Sequence, residues 1–156
     1  MSQDIYIAVP LIITLAANLF THFIFSLTCP DVWFAPPAFV CMLVYFAITI
    51  LLGYTLKDAE RIDNKDIFGF TWALIVFNLL WPMALKRNNK FSLILLFITL
   101  LCAYYVYNEI FLSKLTEGEN TLYLNLYSTY IVWLGFMITM VFEFSSRYYK
   151  INTLTH

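Results

Sequence analysis

The chain has 156 residues and a net charge of −1, with 62% hydrophobic, 19% aromatic and only 12% charged residues, and a mean hydropathy of +0.76. A soluble domain carries roughly 25% charged residues, so this composition excludes a water-soluble globule and points to an integral membrane protein. With no basic stripe, no Gly-rich phosphate loop and no G-x-S-x-G, the sequence also argues against nucleic-acid binding and ordinary soluble-enzyme chemistry.

A hydrocarbon core of about 30 Å takes about 20 apolar residues per helix. Five runs of that kind fit, at residues 5–27, 36–56, 67–85, 91–112 and 121–145, leaving a short charged tail at 146–156. The expectation is all-α: one domain over residues 1–156, a bundle of five transmembrane helices. Barrel strands would alternate apolar and polar over about ten residues, whereas these runs are apolar all round.

The first run follows an N-terminus without Lys or Arg and lacks a small-residue cleavage site, so it is expected to be retained as a helix. It sets Thr14, Asn18, Thr21, His22 and Phe25 within about a third of its circumference. Lipid cannot satisfy these groups, so the stripe should face the bundle interior, either bonding to other helices or placing His22 on a cavity. The first loop, TCPDVWFAPPAF, is stiffened by three prolines. Its Trp33 and Phe34 suit an interfacial aromatic anchor or, equally, a lid.

Helix two aligns Met42, Tyr45, Thr49 and Leu52, and ends near Gly53 and Tyr54 before a charged turn, KDAERIDNKD. Its tyrosines suit packing and interface positions, or a ligand. In helix three, GFTWALIVFNLLWP, a rotation of about 100° per residue puts Gly69 and Ala73 on one side and Thr71, Leu74, Asn78 and Trp81 on the other. The small-residue side can pack on a partner helix while the Asn/Trp side lines a site. Helix four is aliphatic as far as Cys102, then crowded with Tyr104, Tyr105, Tyr107, Asn108 and Glu109 where water begins. Helix five gathers Tyr123, Tyr127, Tyr130, Trp133 and Met137 on an arc of about 120°. Glu143 and Arg147 have the spacing of a helical ion pair.

Three cysteines (Cys29, Cys41, Cys102) without C-x-x-C, and two histidines at opposite ends, argue against structural zinc, any other metal site and a disulfide framework. Five basic residues (Lys86, Arg87, Lys90, Arg147, Lys150) against four (Lys57, Arg61, Lys65, Lys114) place the third loop and C-terminus in the cytosol by a narrow margin. Which membrane holds the chain is not written in it.

Four ordered fragments carry a resemblance over nearly the whole length to the TspO/MBR family, the tryptophan-rich sensory or translocator proteins. Trp33 to Pro37 (WFAPP) resembles the family's W-x-P-P with one residue added, and Val44 to Tyr54 resembles V-W-x-x-L-Y-x-x-x-G-Y, with Tyr45 and Thr49 replacing Trp and Tyr. Phe77 to Pro82 is similar to L-N-x-x-W-P, and Thr129 to Phe136 to P-Y-x-x-W-x-x-F. The chain departs from the pattern in lacking the first-helix glycines, in Thr129 for proline and in Val141 for asparagine. The resemblance implies a five-helix bundle whose pocket, beneath the first loop, takes a tetrapyrrole (porphyrin or haem) or a similar hydrophobic planar molecule. By matched position Tyr45, Asn78, Trp81, Trp133 and Phe136 would form its wall, with Trp33 in or near the lid; Thr49, Tyr130 and His22 are further ligand-binding candidates. It also implies homodimers through helix three, where Gly69-x-x-x-Ala73 matches the family's small-residue seam. Val141 and Tyr148 stand one residue too far apart for the loose sterol pattern, so cholesterol recognition is not expected.

The leading reading is a non-enzymatic receptor or carrier that requires no cofactor. The alternatives are an enzyme promoting oxidative porphyrin breakdown, or a scaffold or small transport component without a pocket.

Overall fold

The computed structural model describes residues 5–25, 32–112 and 120–154, and contains five helices and no strand among them. They are α1 (Ile5–Phe25), α2 (Ala38–Arg61), α3 (Lys65–Arg87), α4 (Asn89–Leu112) and α5 (Asn120–Leu154). Four of these contain stretches long and apolar enough to cross a membrane: Phe39–Arg61, Lys65–Leu85, Asn89–Leu112 and Thr121–Arg147. α1 contributes a shorter apolar stretch, Ile5–Ala16, and the side chains of residues 17–25, His22 included, lie outside the description. Ile12, Leu43, Leu101, Val132 and Phe142 are exposed around the bundle. A water-soluble monomer rarely exposes so much apolar surface, whereas acyl chains would cover it at no cost.

α1 packs on α2, α2 on α3, α3 on α4 and α4 on α5, with a slighter α1–α3 contact. Gly53 sets how closely α1 approaches α2. A Cβ there would stand 3.0 Å from the Ile7 Cα and 3.2 Å from the Tyr6 carbonyl oxygen. Pro10, inside α1, has no N–H to offer that same Tyr6 carbonyl, so the backbone is irregular where the two helices touch. The contact is reinforced by Tyr6, whose hydroxyl donates to Glu60 Oε1 at 2.5 Å and whose ring meets Phe68 edge-on at 6.0 Å.

Two helices outrun their apolar segments. α2 continues to Arg61 rather than ending near residue 56, because Lys57, Ala59, Glu60 and Arg61 are good helix formers and Arg61 pairs with Asp58 at 3.5 Å across one turn. The charged turn shrinks to Ile62–Asn64, with Asp63 left-handed at φ 53°. Asn64 then caps α3, accepting from the Asp66 and Ile67 amides at 3.1 and 3.0 Å. The tail beyond residue 145 is likewise helical, as α5 runs on to Leu154 past the Arg147 Nε to Glu143 Oε1 pair at 2.9 Å.

The third loop contracts to one residue. Asn88 closes α3 by donating its amide to the Ala84 carbonyl at 2.8 Å, and its side chain caps α4 by accepting from Lys90 and Phe91 at 3.0 and 3.2 Å. Ser92 adds a tie between the two helices, donating its hydroxyl to the Trp81 carbonyl at 3.0 Å.

The cysteines correct one expectation. Cys41 is disulfide-bonded, to a partner outside the described residues, while Cys102 is a free thiol. An odd cysteine count rules out complete pairing but leaves room for one bridge.

Candidate functional site

The helix-three periodicity translates directly into burial. Thr71, Leu74, Asn78 and Trp81 are all buried in the bundle, while Gly69 is exposed and Ala73 half-buried on the other side. The Asn78 amide donates to the Leu74 carbonyl at 2.8 Å and to the Tyr130 hydroxyl, joining α3 to α5 through a polar contact inside an apolar core. One turn away the Tyr127 hydroxyl donates to Thr55 Oγ1 at 3.0 Å, joining α5 to α2. Thr49 donates to the Tyr45 carbonyl at 2.8 Å and lies 3.3 Å from the Thr14 hydroxyl, which links α2 to α1. Apart from Asn78, these are residues whose hydroxyls answer a neighbour or their own helix, as lipid surroundings require.

Aromatic rings complete this centre. Tyr45 and Trp81 stack with centroids 6.2 Å apart and planes 26° from parallel, and Trp133 lies 5.7 Å from Phe136. Phe34, in the segment between α1 and α2, meets Phe136 at 6.0 Å and so closes that end of the bundle. Beside it Val32 is buried, whereas Trp33 is 81% exposed and meets Phe34 in a T-shaped contact at 5.3 Å. Thus Phe34 forms the cover and Trp33 faces away from it. Three buried polar atoms, Tyr45 Oη, Trp81 Nε1 and Trp133 Nε1, have no hydrogen bond of good geometry among the described residues. Tyr45 and Trp81 stand within reach of each other's polar atoms, which leaves Trp133 Nε1 as the donor in want of an acceptor; leaving such a group unpaired costs about 1–3 kcal/mol.

α2 and α5 are not closely packed on each other, and side chains from the two helices border a half-open cleft of about 1230 Å³. Ligand pockets commonly span about 300–1,000 Å³, so this one would take a large ligand. Its walls are Val44, Ile48 and Leu51 of α2 against Leu126, Tyr130, Trp133 and Phe136 of α5. One end is charged, with Lys57, Asp58 and Arg61 on the last turns of α2. There the Tyr123 hydroxyl donates to Asp58 Oδ2 at 2.5 Å, bridging the cleft mouth.

The structure therefore divides the residues singled out by sequence. Tyr130, Trp133 and Phe136 line the cleft. Thr49, Asn78 and Trp81 are buried behind it, and half-buried Tyr45 stacks on Trp81 there. Trp33 stands outside, and the His22 side chain lies outside the described residues. Sequence reasoning missed Lys57, Asp58 and Arg61. The signal was their helical spacing from Leu51 and Tyr54, hidden because KDAER reads as a hydrophilic turn. No group of three or more His, Cys, Asp or Glu able to hold a metal occurs among the described residues.

Comparison of the chain with protein-family models, with curated proteins and with solved structures gives no match.

Proposed function

We propose that this protein is a membrane receptor or carrier that takes a tetrapyrrole, or another hydrophobic planar molecule of that size, into the α2–α5 cleft. One observation carries the reading: Trp133 and Phe136, matched by the TspO/MBR resemblance to ligand-contacting positions, share one wall of a cleft of about 1230 Å³ with Tyr130. A flat π-system gains most from aromatic side chains with a few polar groups fixing its orientation. Trp133, which lines the cleft, also carries an Nε1 without a hydrogen-bond partner among the described residues, a donor for a ligand acceptor.

The resemblance extends the proposal to a homodimer through α3. The outward position of Gly69 supports it, since a Cβ there would meet nothing within 4 Å and a second helix has room to approach closely.

Titration of the purified protein with protoporphyrin IX tests the proposal. Saturable quenching of tryptophan fluorescence, weakened about tenfold by Trp133→Ala, is the expected result, on the scale of a stacking contact. Absence of saturable quenching rejects it.

The dense packing of Asn78, Trp81 and Tyr130 favours one competing reading, a scaffold whose aromatics serve cohesion alone. It requires that no porphyrin move the melting temperature, because only ligands that bind the native state raise it.

A further inference from the structure

The α2–α5 cleft is a trough with two exposed edges. Along α2, Ala47, Ile50 and Tyr54 fall in one helical row and are all exposed, whereas Ile48 and Leu51 beside them are buried. Along α5, Leu122, Leu126, Thr129 and Val132 make the facing exposed row, beside buried Tyr130. These rows are the long sides of the opening, so the cleft opens sideways from the bundle. Its ends are taken by Phe34 against Phe136 and by the Tyr123 to Asp58 bond.

The opening lies within the segments able to cross a membrane. Ala47 to Tyr54 stand about 12–22 Å from Phe39, where the α2 span begins, and Leu126 to Val132 about 8–17 Å from Thr121, where that of α5 begins. At such depths both rows meet acyl chains rather than water. An apolar trough there is not left empty, because wall atoms without neighbours forfeit their dispersion contacts and the surrounding chains can supply them. Dimerisation through Gly69 would not cover it, since α3 contributes no residue to the cleft.

We propose that the cleft is a lateral lipid site, in which an acyl chain of a bilayer phospholipid lies between Ile48 and Leu51 on one side and Leu126 and Trp133 on the other. Where it names that chain as what an incoming ligand displaces, the proposal rests on the receptor reading. It adds a route and a competitor: ligands come sideways from those dissolved in the membrane, and each must outbid the lipid for the same walls.

The test uses bromine, which quenches tryptophan at short range, and Trp133, which lines the trough. The full-length protein and its Trp133→Phe variant are each reconstituted in phosphatidylcholine with chains brominated near their middle, and in the same lipid without bromine. In each lipid the difference between the two proteins isolates the emission of Trp133. That emission should be mostly lost in the brominated lipid. Ile48→Phe adds a ring to the trough wall, so it should expel the chain and restore most of the emission. Leu101→Phe adds similar bulk on the exposed face of α4, away from the cleft, and should leave the quenching as it was. A fold defect in Ile48→Phe would open Trp133 further to lipid and deepen the quenching, so the sign separates displacement from damage. Trp133 emission equal in the two lipids overturns the proposal, as when a second copy or the protein's own side chains fill the trough, and leaves the protoporphyrin titration to decide the receptor reading. Quenching that Ile48→Phe does not relieve also overturns it, because the bromines then reach Trp133 from outside the trough. Quenching relieved by Ile48→Phe, in a protein that binds no protoporphyrin, supports the acyl chain and removes the tetrapyrrole from the receptor reading.

Discussion

Gly53→Ala is the sharpest probe of how this bundle is assembled. The added methyl would sit 3.0 Å from the Ile7 Cα and 3.2 Å from the Tyr6 carbonyl oxygen, both backbone atoms that no rotamer change can move aside. α1 must then withdraw by several tenths of an ångström, straining the Tyr6 to Glu60 bond of 2.5 Å. Overpacking of this kind costs about 1–3 kcal/mol. Replacing a helical glycine with alanine returns about 1 kcal/mol of propensity, so the net loss should be about 1 kcal/mol. Gly135→Ala is the matched control, because nothing lies within 4 Å of its Cβ position and only the propensity gain applies. In the difference between the two variants propensity cancels, leaving the close contact at about 1–3 kcal/mol. Unfolding followed by tryptophan fluorescence in mixed dodecyl maltoside and SDS micelles measures it. If both alanines shift the transition equally, the α1–α2 approach is not limited by Gly53 and the packing described for it is wrong.

Other expectations follow from the same geometry. Asn78→Ala should cost about 0.5–2 kcal/mol by breaking the α3–α5 tie to Tyr130, and a double-mutant cycle with Tyr130→Phe should recover most of that as coupling. Gly69→Leu should lower the dimer fraction in cross-linking without lowering the melting temperature of the monomer, which should rise with the helix propensity gained, since a Cβ there meets nothing within 4 Å. The Cys41 disulfide should place the start of α2, and with it the α3–α4 turn and the C-terminus, on the oxidising side of the membrane, against the narrow count of basic residues. Protease accessibility of a C-terminal tag in sealed vesicles reads this directly, and a cytosolic tag would refute it.

The parts of this architecture legible in the sequence were those where polar and apolar residues contrast within one helix. In α3 a lone asparagine and a tryptophan among leucines, set at about 100° per residue, gave the buried face without reference to any neighbour. Helix ends were harder. Lys57 to Arg61 look like a loop because they are charged, yet charge at good helix-forming positions extends a helix into water as readily as it ends one. The division between Trp133, in the cleft, and Trp81, behind it, was not legible at all. Both lie on inward faces, and only the cleft between α2 and α5 decides which of those faces is left uncovered. The Phe34 cover was hidden for a related reason: in Trp33-Phe34 either ring could turn inward, and the turn fixed by the Ala35 amide to Val32 carbonyl bond at 2.9 Å selects the second.

α5 has 35 residues, which at ~1.5 Å per residue makes a rod of about 52 Å, longer than the roughly 40–45 Å of a bilayer with its headgroups. Because its apolar stretch ends at Arg147, the turns that follow stand clear of the hydrocarbon as a stiff post. A fluorophore or fusion attached after Leu154 would ride at a fixed height and direction rather than on a floppy tether, so tilting of α5 as the bundle breathes would be magnified at that post and open to measurement as an angle.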